Sequence, residues 1–235
     1  MYIKFSNFLN EYSRFDPIPE LTWNKKNKTA IFIFGVPGGG KTTFLNNFII
    51  NKLRNYKIFD PDKIAANLLK IGKTPVKISI EDKYKKLDLI KDAIKKIKNE
   101  YNIEIQLNDE QINNIIDNNT YYDDMYNILK KQLLLIIEHS EADIIYDTSG
   151  NDFKRVDEYT KIFRKYGYTI LFIKVNNNLE TAVYNNLNRD RKVELDYQLS
   201  SYERSLKLES EYLKLNPDAY YIYDIETNKF NKKVG

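Results

Sequence analysis

The sequence predicts an α/β fold in which a parallel sheet is covered by helices on both faces. Three observations carry that expectation. Short runs at 29–34, 56–59, 142–146, 168–175 and 220–223 are largely apolar and read as buried strands. The stretches between them show helical periodicity, as in 42–52, where Phe44, Leu45, Phe48 and Ile49 share one face. The first run also ends at a cluster of glycines and passes directly into that helix. Strands that are apolar on both sides need cover on both sides, which makes a three-layer sandwich.

The remaining elements follow in order. Residues 1–28 contain Pro17 and Pro19 and read as an N-terminal arm. Pro61 closes the second strand within Asp60–Pro61–Asp62 and keeps Asp60 extended. A helix is expected from 62 or 63 to 69, then a loop over 72–80 with Pro75. The segment 81–98 is helical, with Leu87, Ile90, Ile94 and Ile97 on its apolar side. Asn108, Asp109 and Glu110 suit the cap of a short helix carrying Ile112, Ile115 and Ile116. Longer helices are expected over 123–141, 154–166, 179–187 and 194–215. The expected organisation is an arm (1–28) and one domain (29–235), with a helical insertion at about 72–141 and a lid at about 185–200.

Composition narrows the chemistry. The 235 residues suffice for one substantial core, and 42% hydrophobic with 30% charged residues is ordinary for a globular chain. With no cysteine, disulfides, thiolate nucleophiles and cysteine-bound zinc are excluded. The single histidine, His139, cannot build a histidine metal cluster and reads as structural or solvent-facing. A net charge of +4 permits attraction to a polyanion without requiring it. Residues 1–10 lack the apolar core of a signal peptide, and no apolar run approaches a bilayer span, so the cytoplasm, or a host cytoplasm, is the expected location.

The chemistry concentrates at 35–42, G-V-P-G-G-G-K-T, which fits the phosphate-binding P-loop pattern G-x-x-x-x-G-K-[ST] without a mismatch. Backbone N–H groups in such a loop point at a phosphate, and the positive end of the following helix reinforces them. Gly35, Gly38, Gly39 and Gly40 allow the backbone to approach. Lys41 is expected to reach the β- and γ-phosphates and Thr42 to offer its hydroxyl to Mg²⁺, with ATP as the nucleotide. The loop class implies a P-loop NTPase sandwich. Asp147, after Ile144–Ile145–Tyr146, is the expected carboxylate of the Mg²⁺ shell, loop capping being the alternative.

Several classes share this loop. Residues 147–150, D-T-S-G, match the D-x-x-G of GTPase switches, but neither 176–179 nor 228–231 supplies the guanine-reading N-K-x-D. A motor ATPase would carry a second acid where Thr148 stands. A kinase explains more of the chain, because it needs a carboxylate for the acceptor hydroxyl and cations over the transferred phosphoryl. Asp62 or Asp60 offers the first; capping of the following helix competes for both. Arg189 and Arg191 offer the second from a segment that a lid would occupy, with Arg155 and Arg164 in reserve.

On five segments the chain resembles the zeta-toxin and polynucleotide-kinase branch of the P-loop kinases. They are G-V-P-G-G-G-K-T-T at 35–43, D-P-D at 60–62, I-I-Y-D-T-S-G at 144–150, G-Y-T-I-L-F-I-K-V at 167–175 and N-N-L-N-R-D-R-K-V at 185–193. The resemblance implies that Asp62 engages the acceptor hydroxyl and that Arg189 and Arg191 are lid arginines. It carries Thr43 into the nucleotide site beside Thr42. It implies an acceptor that is either a nucleic-acid 5′-hydroxyl or a nucleotide sugar; no membrane partner is expected, because no apolar run approaches a bilayer span. Lys73, Lys77, Lys83, Lys85 and Lys86 suit either the wall of an anionic channel or a solvated helix face. The polar region 99–125 has no counterpart among the expected substrate-binding inserts.

Overall fold

A computed structural model describes residues 28–50, 53, 55–61, 64, 80–117, 125–189 and 192–234. The expected N-terminal arm up to residue 27, the loop at 72–79 and most of the helix expected at 62–69 lie outside the described residues.

The sheet order is β2-β3-β1-β4-β5-β6. The strands are β1 (Thr29–Phe34), β2 (Tyr56–Phe59), β3 (Asp143–Thr148), β4 (Thr169–Asn176), β5 (Ala219–Asp224) and β6 (Lys229–Val234). The first five run parallel, with β1 hydrogen-bonded to β3 on one side and β4 on the other. The sequence reading stopped at β5. The edge strand β6 returns antiparallel against it, and its run K-F-N-K-K-V is mostly exposed, so it lacks the apolar continuity that marked the others.

The helices fill the intervals. They are α1 (Lys41–Phe44, continued as a π-helical turn over Leu45–Ile49), α2 (Ile80–Tyr101), α3 (Asp109–Asp117), α4 (Met125–His139), α5 (Phe153–Lys165), α6 (Leu179–Leu187), α7 (Leu195–Lys207) and α8 (Glu209–Leu213). Local chemistry fixes several starts. At α3 the Asn108 side chain accepts from the Gln111 amide at 2.9 Å, and the Gln111 side chain accepts from the Asn108 amide at 3.0 Å, a reciprocal capping box. At α6 the Asn178 side chain accepts from the Thr181 amide at 2.7 Å. The single helix expected over 194–215 is two helices that meet at Leu208.

Period-two alternation sends the strands' side chains to two cores. On one face Phe32, Phe34, Tyr146 and Phe172 meet Leu133 of α4, Phe163 of α5 and Tyr212 of α8. On the other, Ile31, Ile33, Ile145 and Ile173 meet Phe44, Phe48 and Ile49 of the helix that follows the glycine loop. A third cluster joins α2 and α3 to α6 and α7 through Ile90, Ile97, Ile115, Val183 and Leu199. The architecture is a mostly parallel mixed sheet with helices on both faces, a P-loop NTPase sandwich. Among the described residues no helix is long and apolar enough to cross a membrane.

Phe172 lies at the middle of the first core, fully buried, with its ring centroid 5.1 Å from those of both Phe32 and Phe34. Phe172→Ala is expected to lower unfolding stability by about 3–5 kcal/mol. Urea denaturation checks this as a drop in midpoint with an unchanged slope.

Candidate nucleotide-binding site

The glycine loop is held by a short turn and by Lys41. The Gly39 amide donates to the Val36 carbonyl at 2.9 Å, with Pro37 and Gly38 between them. Gly38 has φ +77°, so this is a type II turn, with proline and glycine at the positions that type favours. Gly40, at φ +84°, sits immediately before α1. The Lys41 ammonium donates to the Gly35 carbonyl at 2.7 Å and lies 3.8 Å from Asp147 Oδ1. Both side chains are mostly shielded, at 14% and 19% exposure. The lysine thus stands at the mouth of its own loop, facing a carboxylate rather than the core.

Asp147 reaches that place by register. In the β1–β3 ladder Ile33 pairs with Asp147 and Phe34 with Thr148, so both strands end at the same level. The strand runs two residues further than the apolar run 142–146, and Asp147 is part of it rather than the residue after it. Thr42 and Thr43 are exposed in the first turn of α1.

These groups line one cleft of about 810 Å³. Its walls include Gly38, Gly39, Gly40, Lys41, Thr42 and Thr43 from the loop and helix, Asp147 and Ser149 from the end of β3, and Asp60 from the end of β2. Arg155 of α5 and Arg189, just beyond α6, reach the same space. Of the residues singled out in the sequence, Asp62 and Arg191 lie outside the described residues. Arg164 is elsewhere: its guanidinium donates to the Asn216 carbonyl. Tyr146 also borders the cleft, and burial pushes its phenol up to about 12, so it stays protonated at neutral pH and is no base.

Thr42 and Asp147 fit a magnesium shell of the P-loop type, in which the protein supplies one or two oxygens and water and phosphate supply the rest. Among the described residues no group of three or more carboxylates or histidines forms an all-protein metal cage.

The sequence reading missed three contributors to this rim. Glu194 stands immediately before α7, borders the cleft, and is paired with Lys86 of α2 at 2.6 Å. That pairing draws Lys86 to the start of α7 rather than leaving it on a solvated face. Tyr197 shares a hydrogen bond with Ser149 at 3.0 Å. The third is a set of amides, fully buried at Gln198 and Asn186 and half-buried at Asn185. Gln198 Nε2 donates to the Pro37 carbonyl and to the Ala182 carbonyl, both at 2.8 Å. Asn186 Nδ2 donates to Gln198 Oε1 at 3.1 Å, and Asn185 Nδ2 donates to the Gly38 carbonyl at 3.0 Å. Gln198 sits between buried Leu195 and Leu199, and that polar break in an apolar face was the available signal. Its partners are 161 and 16 residues away and leave no local trace.

No family model and no curated protein matches the chain. Solved structures do. One, from the characterisation of the PezAT chromosomal toxin-antitoxin system of Streptococcus pneumoniae, aligns with TM-score 0.51 and 15% identity, covering 98% of this chain and 81% of that one. The AvrRxo1-ORF1:-ORF2 structure with ATP aligns with TM-score 0.48 and 12% identity, over 88% of this chain and 58% of that one. The Pnkp1/Rnl/Hen1 RNA repair complex aligns with TM-score 0.46 and 13% identity, over 93% and 51%. The chain therefore spans little more than half the length of the last two. At these identities the likeness is one of fold alone.

Proposed function

We propose that the chain is an ATP-dependent kinase that transfers a γ-phosphoryl group to a hydroxyl acceptor, the first candidate being the 5′-hydroxyl of a polynucleotide. One observation carries this reading. The phosphate loop, the carboxylates Asp147 and Asp60, and the guanidinium-bearing Arg155 and Arg189 open onto a single cleft. A nucleotide-binding module without chemistry would have no use for an acid on the acceptor side or for arginines above the loop.

The roles follow from charge. Loop N–H groups and Lys41 hold the β- and γ-phosphates, and Lys41 leaves its loop carbonyl for them. Thr42 and Asp147 would hold Mg²⁺, which would supply neutralisation of the triphosphate's charge. The acceptor oxygen bonds to the γ-phosphorus while the bond from that phosphorus to the β–γ bridging oxygen breaks, and ADP leaves. The acceptor's proton passes to a carboxylate after β2, for which Asp62 is the first choice and Asp60 the second. Arg189 and Arg191 close over the phosphate chain, where the guanidinium fork matches paired phosphate oxygens.

The polynucleotide acceptor is supported by the net charge of +4 and by Arg155 in the cleft that Asp60 also lines, a cation suited to a backbone phosphate. A zeta-toxin-like nucleotide-sugar kinase is the second reading. It is favoured by the fold likeness, over 98% of this chain, to a structure from a toxin-antitoxin system.

Labelled ATP offered to 5′-hydroxyl DNA, 5′-hydroxyl RNA, nucleosides and UDP-sugars separates the two readings. Label on an oligonucleotide supports the first and label on a sugar nucleotide the second, while ATP hydrolysis without a labelled acceptor sinks the kinase assignment. In the productive assay Lys41→Ala is expected to abolish transfer with the fold intact by circular dichroism, and a folded variant that turns over normally would refute its role. Asp147→Asn is expected to raise the Mg²⁺ concentration needed for half-maximal rate, read from a metal titration. Arg189→Ala is expected to lower kcat by roughly 100-fold, with a smaller loss of ATP affinity, in single-turnover measurements.

A further inference from the structure

We propose that Gln198, with Asn185 in support, is a positioning residue that turns the Gly38 amide toward the triphosphate and ties it to the base of the lid. The proposal rests on the ATP-binding part of the reading above and on nothing that reading says of the acceptor.

The argument begins with the peptide between Pro37 and Gly38. Type I and type II turns differ chiefly by a flip of this central peptide. Pro37 fixes its own φ and Gly38 admits the positive φ that type II needs, so the pair favours the observed orientation without enforcing it. Gln198 locks it. Its Nε2 donates to the Pro37 carbonyl at 2.8 Å from a fully buried position on α7. In a trans peptide the N–H points opposite to the C=O. With the carbonyl held toward α7, the Gly38 N–H points away from it, and Gly38 is part of the cleft wall. Asn185 treats the next peptide likewise, holding the Gly38 carbonyl at 3.0 Å.

The orientation of the Gln198 amide follows from its neighbours. Two carbonyls, those of Pro37 and Ala182, lie at 2.8 Å, and only an NH₂ group serves both. The oxygen is left to accept from Asn186 Nδ2 at 3.1 Å. Asn186 in turn brackets Val193. Its Oδ1 accepts from the Val193 amide at 3.0 Å, and its Nδ2 donates to the Val193 carbonyl at 2.8 Å. Val193 borders the cleft where the chain returns from the lid segment into α7. One buried pair of amides therefore fixes a phosphate-facing peptide and the returning limb of the lid together. The fit is close on the loop side as well: a Cβ on Gly38 would stand 2.1 Å from the Ala182 carbonyl oxygen, the atom that Gln198 also holds. A helix face that needed only packing would carry leucine or methionine at 198, as it carries Leu195 and Leu199.

The test compares ATP affinity by calorimetric titration with thermal stability, at fixed Mg²⁺, in the full chain. Gln198→Met keeps the volume and removes both donors, and its ATP dissociation constant is expected to rise roughly tenfold or more, the worth of one hydrogen bond to a charged group. Leu199→Ala is the structural control, because it thins the adjacent packing without touching the amides. It is expected to lower the melting temperature and leave ATP affinity unchanged. Gln198→Met binding ATP as the unaltered chain does would overturn the proposal while leaving the nucleotide-binding reading intact. Should Gln198→Met not fold, Asn185→Ala decides. Asn185 is only half-buried, and its loss is expected to weaken ATP binding about threefold with little change in melting temperature. Unchanged affinity in that variant overturns the proposal equally. An unaltered chain that binds no ATP refutes the nucleotide-binding reading itself, and this proposal with it.

Discussion

The register between β1 and β3 is the constraint on which the rest depends. Both strands are buried on both faces and hydrogen-bonded on both sides, so neither can slide without moving apolar side chains from one core to the other. That register brings the end of β1, where the glycine loop departs, level with Asp147 and Thr148. The 3.8 Å approach of Lys41 to Asp147 is its direct result. A lysine and a carboxylate 106 positions apart in the chain become neighbours because a run of isoleucine and phenylalanine pairs in only one way with Ile144–Ile145–Tyr146.

The two cores divide the labour of holding this arrangement. Phe44, Phe48 and Ile49 fix the helix that begins at the phosphate loop against one face of the sheet. On the other face Tyr212 stacks on Phe34 with ring centroids 4.5 Å apart, and its hydroxyl donates to the Gly150 carbonyl. The loop after β3 is therefore held by aromatic packing and a backbone contact together. Helix α7 then crosses the rim above both loops. Tyr197 meets Ser149, Gln198 meets Pro37, and Ser201 meets the Asn151 side chain. Three contacts within five residues of one helix reach the loops after β1 and β3.

The parts of the candidate site that were legible in the sequence are local. The span 35–42 stands out because it carries glycines and a lysine at the spacing of the P-loop pattern, and most of it lines the cleft. Four of the parallel strands are legible because burial on both faces forces largely continuous apolar runs, and the edge strand β2 because Pro61 marks its end. Asp147 and Arg189 were readable as residues at the ends of such elements, and both border the cleft. What stayed hidden is what depends on distant partners. Glu194 looks like an ordinary surface acid until Lys86 is brought beside it from α2. Gln198 and Asn186 look like polar interruptions until the fold supplies their carbonyls. β6 escaped notice because an edge strand paired on one side needs little apolar character, and the split at Leu208 because both halves keep helical composition.

That edge strand has a consequence for how the molecule meets others. Lys229 and Lys232 place ammonium groups along the outermost strand, which pairs only with β5 among the described residues, while Lys233 is engaged by Glu209 at 3.1 Å. An open strand edge is a template for a foreign strand, and lysines on it set a desolvation and repulsion barrier against such pairing, above all against a second copy of the same edge. Self-association by sheet extension is thereby discouraged on this side. The same charges do not repel an acidic segment, so the edge discriminates among visiting chains by the sign of their charge.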